Sequence, residues 1–295
     1  MLSPDLMEQI RRIEITAKHL VVDVFAGEYQ SVFKGRGMEF EEVRPYFPGD
    51  DVRRIDWNVT ARMASPFIRH YQEERELTVM LLADASGSSE FGTTGGFKRE
   101  LAAELAAVLS FAATTNNDRI GLMVFTDQLE LVVPPRKGRR HVLRMVRDLL
   151  VFQPEGTGTD IGMALNSMNL MQKQRCIVFL ISDFIAPLES YRRALAATSR
   201  RHDVVAIDLH DPVEWEIPQI GIIALEDAET GELVWVDTDD EDWRSSYEEQ
   251  VRADEEAKIQ MMRSLAIDRI GLVNGQEYVS GLNDFFKRRE KRLAR

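Results

Sequence analysis

Between residues 77 and 212 the apolar positions follow two alternating rhythms. Unbroken apolar runs rich in β-branched residues, at Leu77–Ala83, Arg119–Phe125, Arg175–Ser182 and Val204–Leu209, read as buried strands, with a shorter one at Leu129–Val133. Between them the apolar residues recur at helical spacing: Leu101, Leu105, Val108, Leu109 and Ala112, then Val142, Leu143, Val146, Leu149 and Leu150, then Ile161, Ala164, Leu165 and Met168. Each such stripe reads as core. Asn116-Asn117-Asp118 reads as the turn before the second strand, and Asp160 as part of the N-terminal cap of the helix that follows it. Strands alternating with helices predict an α/β fold with a doubly wound, mostly parallel sheet.

The flanks follow other patterns. The first 76 residues begin with a helical stripe, Ile10, Ile13, Ala17 and Leu20, and pass into a Gly/Pro/Arg-rich segment centred on Arg44 to Trp57. There Pro48-Gly49-Asp50-Asp51 is a turn signal, and the mixed arginines and acids suit local ion pairs. This segment is expected to cover one end of the sheet, with a partner-binding surface as the other reading. Residues 213–240 read as short strands around Glu229-Thr230-Gly231-Glu232. Residues 241–295 hold two helical stretches, the last with Tyr278, Leu282, Phe285 and Phe286 on one side. The expected organisation is therefore 1–76, an N-terminal segment; 77–212, the α/β domain; and 213–295, strands and helices packing on that same domain.

Composition narrows the class. With 44% hydrophobic and 29% charged residues the chain is an ordinary globular one, and its apolar runs fall far short of the about 20 residues that cross a bilayer. A cytoplasmic protein is expected. The net charge of -12 is local: residues 213–258 hold 16 Asp and Glu against 3 Lys and Arg, a balance of -13, leaving the remainder at +1. Such a block is a solvated face or a dock for a basic partner, and it argues against general nucleic-acid binding. The single cysteine, Cys176, lies in an apolar run, which excludes a disulfide framework and makes it a core residue.

The candidate chemistry sits at strand ends. Asp84-Ala85-Ser86-Gly87-Ser88 leaves the first strand, Gly156-Thr157-Gly158-Thr159-Asp160 precedes a helix, and Ser182-Asp183-Phe184 closes the most apolar strand. In a doubly wound sheet such loops converge on one edge, so Asp84, Ser86, Ser88, Thr157 and Asp183 are expected to face one point. Hydroxyls and carboxylates without His or Cys suit Mg²⁺, Mn²⁺ or Ca²⁺ and speak against zinc. Spacing to the helix favours Thr157 over Thr159 as the ligand. His19, His70, His141, His202 and His210 show no ligand spacing. Enzyme motifs fit poorly: Asp84 stands where a nucleophile elbow needs glycine, Ser86 replaces the second acid of a D-x-D loop, and no phosphate-binding G-x-x-x-x-G-K-[ST] occurs. Gly156-x-Gly158-x-x-x-Gly162 is one residue too long for a dinucleotide fingerprint and follows a helix.

Asp84-x-Ser86-x-Ser88, then Thr157, then Asp183 resembles the metal-ion-dependent adhesion site of the von Willebrand factor type A fold, over about residues 77–212. Gly37 to Tyr46, Pro48-Gly49-Asp50-Asp51-Val52-Arg53 and Ile55-Asp56-Trp57 resemble the signature of the family catalogued as domain of unknown function 58. Ser182-Asp183-Phe184 and Asp227-x-Glu229-Thr230-Gly231-Glu232 extend that likeness over nearly the whole chain. One departure is Ser89, where many relatives place Met. The resemblance implies a bacterial or archaeal, non-catalytic protein-interaction module that works with a MoxR-type AAA+ ATPase. It implies that Mg²⁺ is held by the five residues and that an acidic residue of a protein partner completes the shell. The alternatives are a structural adaptor with incidental metal and a metal-dependent phosphoryl-transfer hydrolase.

Overall fold

The computed structural model describes residues 4–21, 26–33, 42–52, 55–63, 65–70, 76–93, 96–226 and 231–293. The N-terminal stripe becomes α1 (Pro4–Leu20), followed by α2 (Ala26–Phe33). Then β1 (Glu42–Pro45), α3 (Trp57–Met63) and β2 (Phe67–His70) form a small unit in which β1 pairs antiparallel with β2. The anticipated local ion pairing is present: Arg44 donates to both oxygens of Asp50, at 2.8 and 2.7 Å, closing the loop that carries the Pro48-Gly49 turn. Residues 37–41 and 53 of the signature lie outside the described residues.

The alternating segments become β3 (Thr78–Asp84), α4 (Lys98–Thr115), β4 (Arg119–Phe125), β5 (Leu129–Arg136), α5 (Arg139–Val151), α6 (Ile161–Met171), β6 (Ile177–Ser182), α7 (Leu188–Arg201) and β7 (Asp203–His210). After α8 (Pro212–Trp215) come the antiparallel pair β8 (Ile222–Glu226) and β9 (Leu233–Asp237), then α9 (Glu241–Ser264), β10 (Asp268–Val273) and α10 (Tyr278–Leu293). Residues 227–230, in the turn expected between β8 and β9, lie outside the described residues.

One six-stranded sheet, in the order β10-β7-β6-β3-β4-β5, organises the molecule. Every pairing is parallel except β4 with β5. Strand alternation splits the core in two. Val79, Leu81 and Ala83 face a layer containing α4, α5 and α10, joined by Ile13 and Ala17 of α1 and Tyr29 and Val32 of α2. Met80 and Leu82 face α6, α7 and Met261 and Met262 of α9. Both faces are covered, which is why these strands read as continuous apolar runs. Each fully buried Leu or Val contributes roughly 1.5–3 kcal/mol.

Two features were not expected. The sheet continues beyond residue 212, because β10 from the C-terminal region pairs with β7 over six residues. The outer strand β5 ends in Pro134-Pro135-Arg136. The arrangement also fixes where a site belongs: β3 lies between β4 and β6, and the chain leaves β3 through α4 on one face and β6 through α7 on the other. A topological switch point therefore lies between the ends of β3 and β6, where diverging loops leave a crevice.

Candidate functional site at the sheet switch point

Asp84 is the last residue of β3, and both of its oxygens are engaged. One accepts the backbone N–H of Ser86 at 3.0 Å, and the other accepts the hydroxyl of Ser182 at 2.6 Å across the neighbouring strand end. The Ser86 and Ser88 hydroxyls lie 3.2 Å apart, Ser86 fully buried and Ser88 at the start of a 3-10 turn over Gly87–Glu90. Asp183 follows β6 and is buried; one of its oxygens accepts from the backbone of Ile185 at 3.3 Å. Phe184 beside it is buried in the left-handed region at φ 55°, a conformation that a bulky residue holds only when its surroundings impose it. The Phe184 N–H reaches the Ser182 hydroxyl at 3.1 Å, so the backbone and side chains of this loop form one hydrogen-bonded unit.

The third loop is tied to the first through its backbone. The Gly87 N–H donates to the Thr157 carbonyl at 2.9 Å, and the Asp160 N–H to the Thr126 carbonyl at 3.0 Å. Glu130 of β5 accepts from the backbone of Gly156 at 2.8 Å, the backbone of Glu155 at 3.1 Å and the hydroxyl of Thr126 at 2.8 Å. A Cβ at Gly156 would collide with the side chains of Thr126 and Asp127, so the loop passes where only glycine fits. Asp160 caps α6 as expected, accepting from Met163 N at 2.7 Å. Asp84, Ser86, Ser88 and Asp183 thus sit on two neighbouring loops at one sheet edge. Thr157 joins them through its main chain, with an exposed side chain.

A buried lysine enters the cluster. Lys98, the first residue of α4, is 2% exposed, and its ammonium donates to Asp183 at 2.8 Å and to Glu214 of α8 at 2.5 Å. A cavity of about 10 Å³, the space of one water-sized body, is lined by Asp84, Ser88, Asp183 and Lys98. Burial, then the charge of Asp183, pushes the Asp84 carboxyl up to about 6, against the pull of hydrogen bonds from Ser182 and Ser86. Burial alone would lower the Lys98 ammonium, but the charges of Asp183 and Glu214 and their hydrogen bonds hold it above the usual lysine value. With Asp84, Asp183 and Glu214 ionised against Lys98, three negative charges meet one positive, a balance of -2. An oxygen donor set with that charge suits one small hard divalent cation.

A second cluster differs in kind. Asp208, His210 and Glu255 approach closely enough to share a metal. They already surround two cations, however: Asp208 meets Lys258 at 3.0 Å and Arg269 at 2.6 Å, and Glu255 meets Lys258 at 2.9 Å and also Arg269. Two carboxylates against two cations leave nothing for an added ion to neutralise. This cluster pins α9 and β10 to β7. Its ion pairs also explain Asp208: burial would raise its carboxyl, but hydrogen bonding to His210 and the charges of His210, Lys258 and Arg269 hold it low.

Three further histidines are engaged elsewhere or surface-borne: His141 bonds the Ile120 carbonyl, His202 lies against Cys176, and His19 is exposed on α1. Cys176 is a core residue, its thiol pushed up to about 12 by burial and by Asp203. Beside Asp183 and Glu214 opens a cleft of about 320 Å³ walled by Phe184, Trp215, Tyr247 and Val251. Sequence reasoning missed Lys98 and Glu214. Each nevertheless carried a signal. A lysine at the first position of a helix opposes the macrodipole, and Asp211-Pro212-Val213-Glu214 is a capping box.

A family model described as "Protein of unknown function DUF58" matches residues 42–257. An uncharacterized protein of Mycobacterium bovis is 36% identical over 230 residues, covering 77% of this chain and 72% of the relative. Among solved structures, the conserved hypothetical protein BatB from Bacteroides thetaiotaomicron aligns with a TM-score of 0.48 at 16% identity, over 73% of this chain and 99% of that one. The SpRpn10 VWA domain aligns with a TM-score of 0.40 at 13% identity, over 72% of this chain and 95% of that one. The chain belongs to the family described as protein of unknown function DUF58.

Proposed function

We propose that this protein is a non-catalytic interaction module in which a divalent cation at the switch point receives a carboxylate from a protein partner. The observation that carries this reading is the pair of buried carboxylates, Asp84 and Asp183, set among hydroxyls with a local balance of -2. Asp84, Ser86, Ser88, Thr157 and Asp183 would hold the ion, with Mg²⁺ as the expected occupant. Neutral hydroxyl ligands leave such an ion much of its positive character, and an acidic side chain of a partner is the group that satisfies it. The cleft walled by Trp215 and Tyr247 offers room for a neighbouring partner side chain. The setting we propose is the bacterial cytoplasm, with a MoxR-type AAA+ ATPase as the partner. Among the described residues no helix is long and apolar enough to cross a membrane.

The test is capture of the MoxR-type ATPase by wild type and Asp84→Ala, each in Mg²⁺ and in EDTA. Capture by wild type in Mg²⁺ alone is expected. Equal capture in all four conditions would sink the metal-gated mechanism and favour the adaptor reading. That second reading has its own observation: Phe47, Val52, Trp57 and Met63 of the N-terminal unit are 60%, 59%, 70% and 58% exposed. Under it, Trp57→Ser would abolish capture while Asp84→Ala would not. Metal-dependent turnover of phosphate esters, lost in Asp183→Ala, would instead make the protein an enzyme.

A further inference from the structure

We propose that Lys98 is a tethered cation that competes with the divalent ion for Asp183 and sets the affinity of the site low. The inference rests on the cation reading above and concerns how this chain tunes it. Lys98 has no local reason to stand where it does. It opens α4, where a positive charge opposes the helix dipole, and the preceding cap residue, Phe97, makes no side-chain capping bond. Burying an ammonium is costly unless it is paired. Its partners are therefore the reason for its position: the Phe91 ring lies 5.9 Å from the ammonium, and the two charged partners are carboxylates, Asp183 at 2.8 Å and Glu214 at 2.5 Å.

The geometry makes Lys98 a rival of the ion. Its ammonium takes one oxygen of Asp183, leaving the other, which already accepts from Ile185, as the oxygen open to a metal. Its side chain also lines the same small cavity as Asp84, Ser88 and Asp183, so a divalent ion there would lie within a few ångströms of a fixed positive charge. Like charges at that range in a buried site repel strongly.

Glu214 works against Lys98. It shares the ammonium and so draws part of its field away from Asp183. Glu214 is itself held, its other oxygen accepting the Asp211 N–H at 2.9 Å. Asp211 in turn accepts from the backbone and hydroxyl of Thr93, at 2.9 and 2.5 Å, and from Asn274 at 3.2 Å. A rigid acid on α8 thus divides the charge of Lys98 between two carboxylates, of which only one belongs to the cation site.

Calorimetric titration of Mg²⁺ and Mn²⁺ into the full chain at neutral pH tests the proposal. Lys98→Met is expected to bind either ion about tenfold or more tightly than wild type, because the repulsion is gone. Glu214→Gln is expected to bind several-fold more weakly, because the ammonium then falls wholly on Asp183. These opposite signs separate the proposal from a structural role, under which both substitutions would loosen the loops and weaken binding. Unchanged or weaker binding by Lys98→Met overturns it, as does unchanged or tighter binding by Glu214→Gln. If Lys98→Met does not fold, Lys98→Gln, which keeps a donor for Asp183 without the charge, is expected to show the same tightening, and its absence overturns the proposal. Failure of the underlying reading looks different: no titratable binding in wild type, Lys98→Met or Glu214→Gln, with Asp84→Ala indistinguishable from them.

Discussion

Asp84 is where pH acts on this fold most directly. An aspartate ordinarily titrates at 3.8, and burial beside Asp183 raises it to about 6 in the folded chain. Between those values the folded state keeps a proton that the unfolded state has released. Stability from this group therefore falls as pH rises through that window and stays lower above it, by on the order of 3 kcal/mol at most. Urea denaturation without metal is expected to show wild type losing stability relative to Asp84→Asn between about pH 4 and about pH 6, with Mg²⁺ recovering the loss at neutral pH. Parallel curves would mean that Asp84 titrates as in free solution. The residues of this site differ in how far the sequence reveals them. Asp84, Ser86, Ser88 and Asp183 are legible because each lies at the end of an apolar run, and strand ends gather in space. Lys98 and Glu214 are less so: each carries only a helix-start signal, and the pairings of Lys98 with Asp183 and with Glu214 span 85 and 116 positions. No local pattern encodes such distances.

The loop before α6 is the element on which the position of Thr157 depends. Glu130 holds it by accepting from the backbone of Glu155 and Gly156, while also accepting the Thr126 hydroxyl, and Gly156 admits it past Thr126. Glu130→Ala leaves those donors to water or unpaired, at an expected cost of about 1–3 kcal/mol. A several-fold loss of Mg²⁺ affinity with unchanged far-UV circular dichroism is expected. Unchanged affinity would remove Thr157 from the cation site. Among elements, the four central strands were readable to within two residues, because both faces are covered and their apolar runs stand out, and the stripes of α4, α5 and α6 placed those helices, whereas α7 carried no assigned stripe. β10 was not readable. It is an outer strand whose residues Asp268 and Arg269 are spent on ion pairs with Arg289 and Asp208, which hides the apolar signal of Ile270 and Leu272. It also lies between two helices whose periodicity dominates their surroundings.

At the scale of the whole molecule, β10 makes the C-terminal region part of the sheet. A fragment ending at residue 212 loses β10 from the side of β7 and both Lys258 and Arg269 from Asp208, leaving His210 as the carboxylate's remaining partner. Such a fragment is expected to aggregate on expression, and a cooperative unfolding transition from it would refute this. In the full chain, Lys258→Met is expected to cost about 3–5 kcal/mol by denaturant titration, since breaking one member of a buried ion cluster strands its partner. A change below about 1 kcal/mol would mean that Arg269 and His210 neutralise Asp208 without it.

The two prolines that close β5 also bear on how partners approach. A proline has no N–H to offer a neighbouring strand, so consecutive prolines on an outer strand interrupt any ladder that a foreign peptide would extend from it. Strand addition, a common way for a sheet to capture an extended peptide, is hindered where these two prolines stand. The same device guards against fibrillar stacking of one copy on the next. Under the interaction-module reading proposed above, a partner meeting the β5 side would find less backbone to pair with there than side-chain chemistry at the carboxyl end of the sheet.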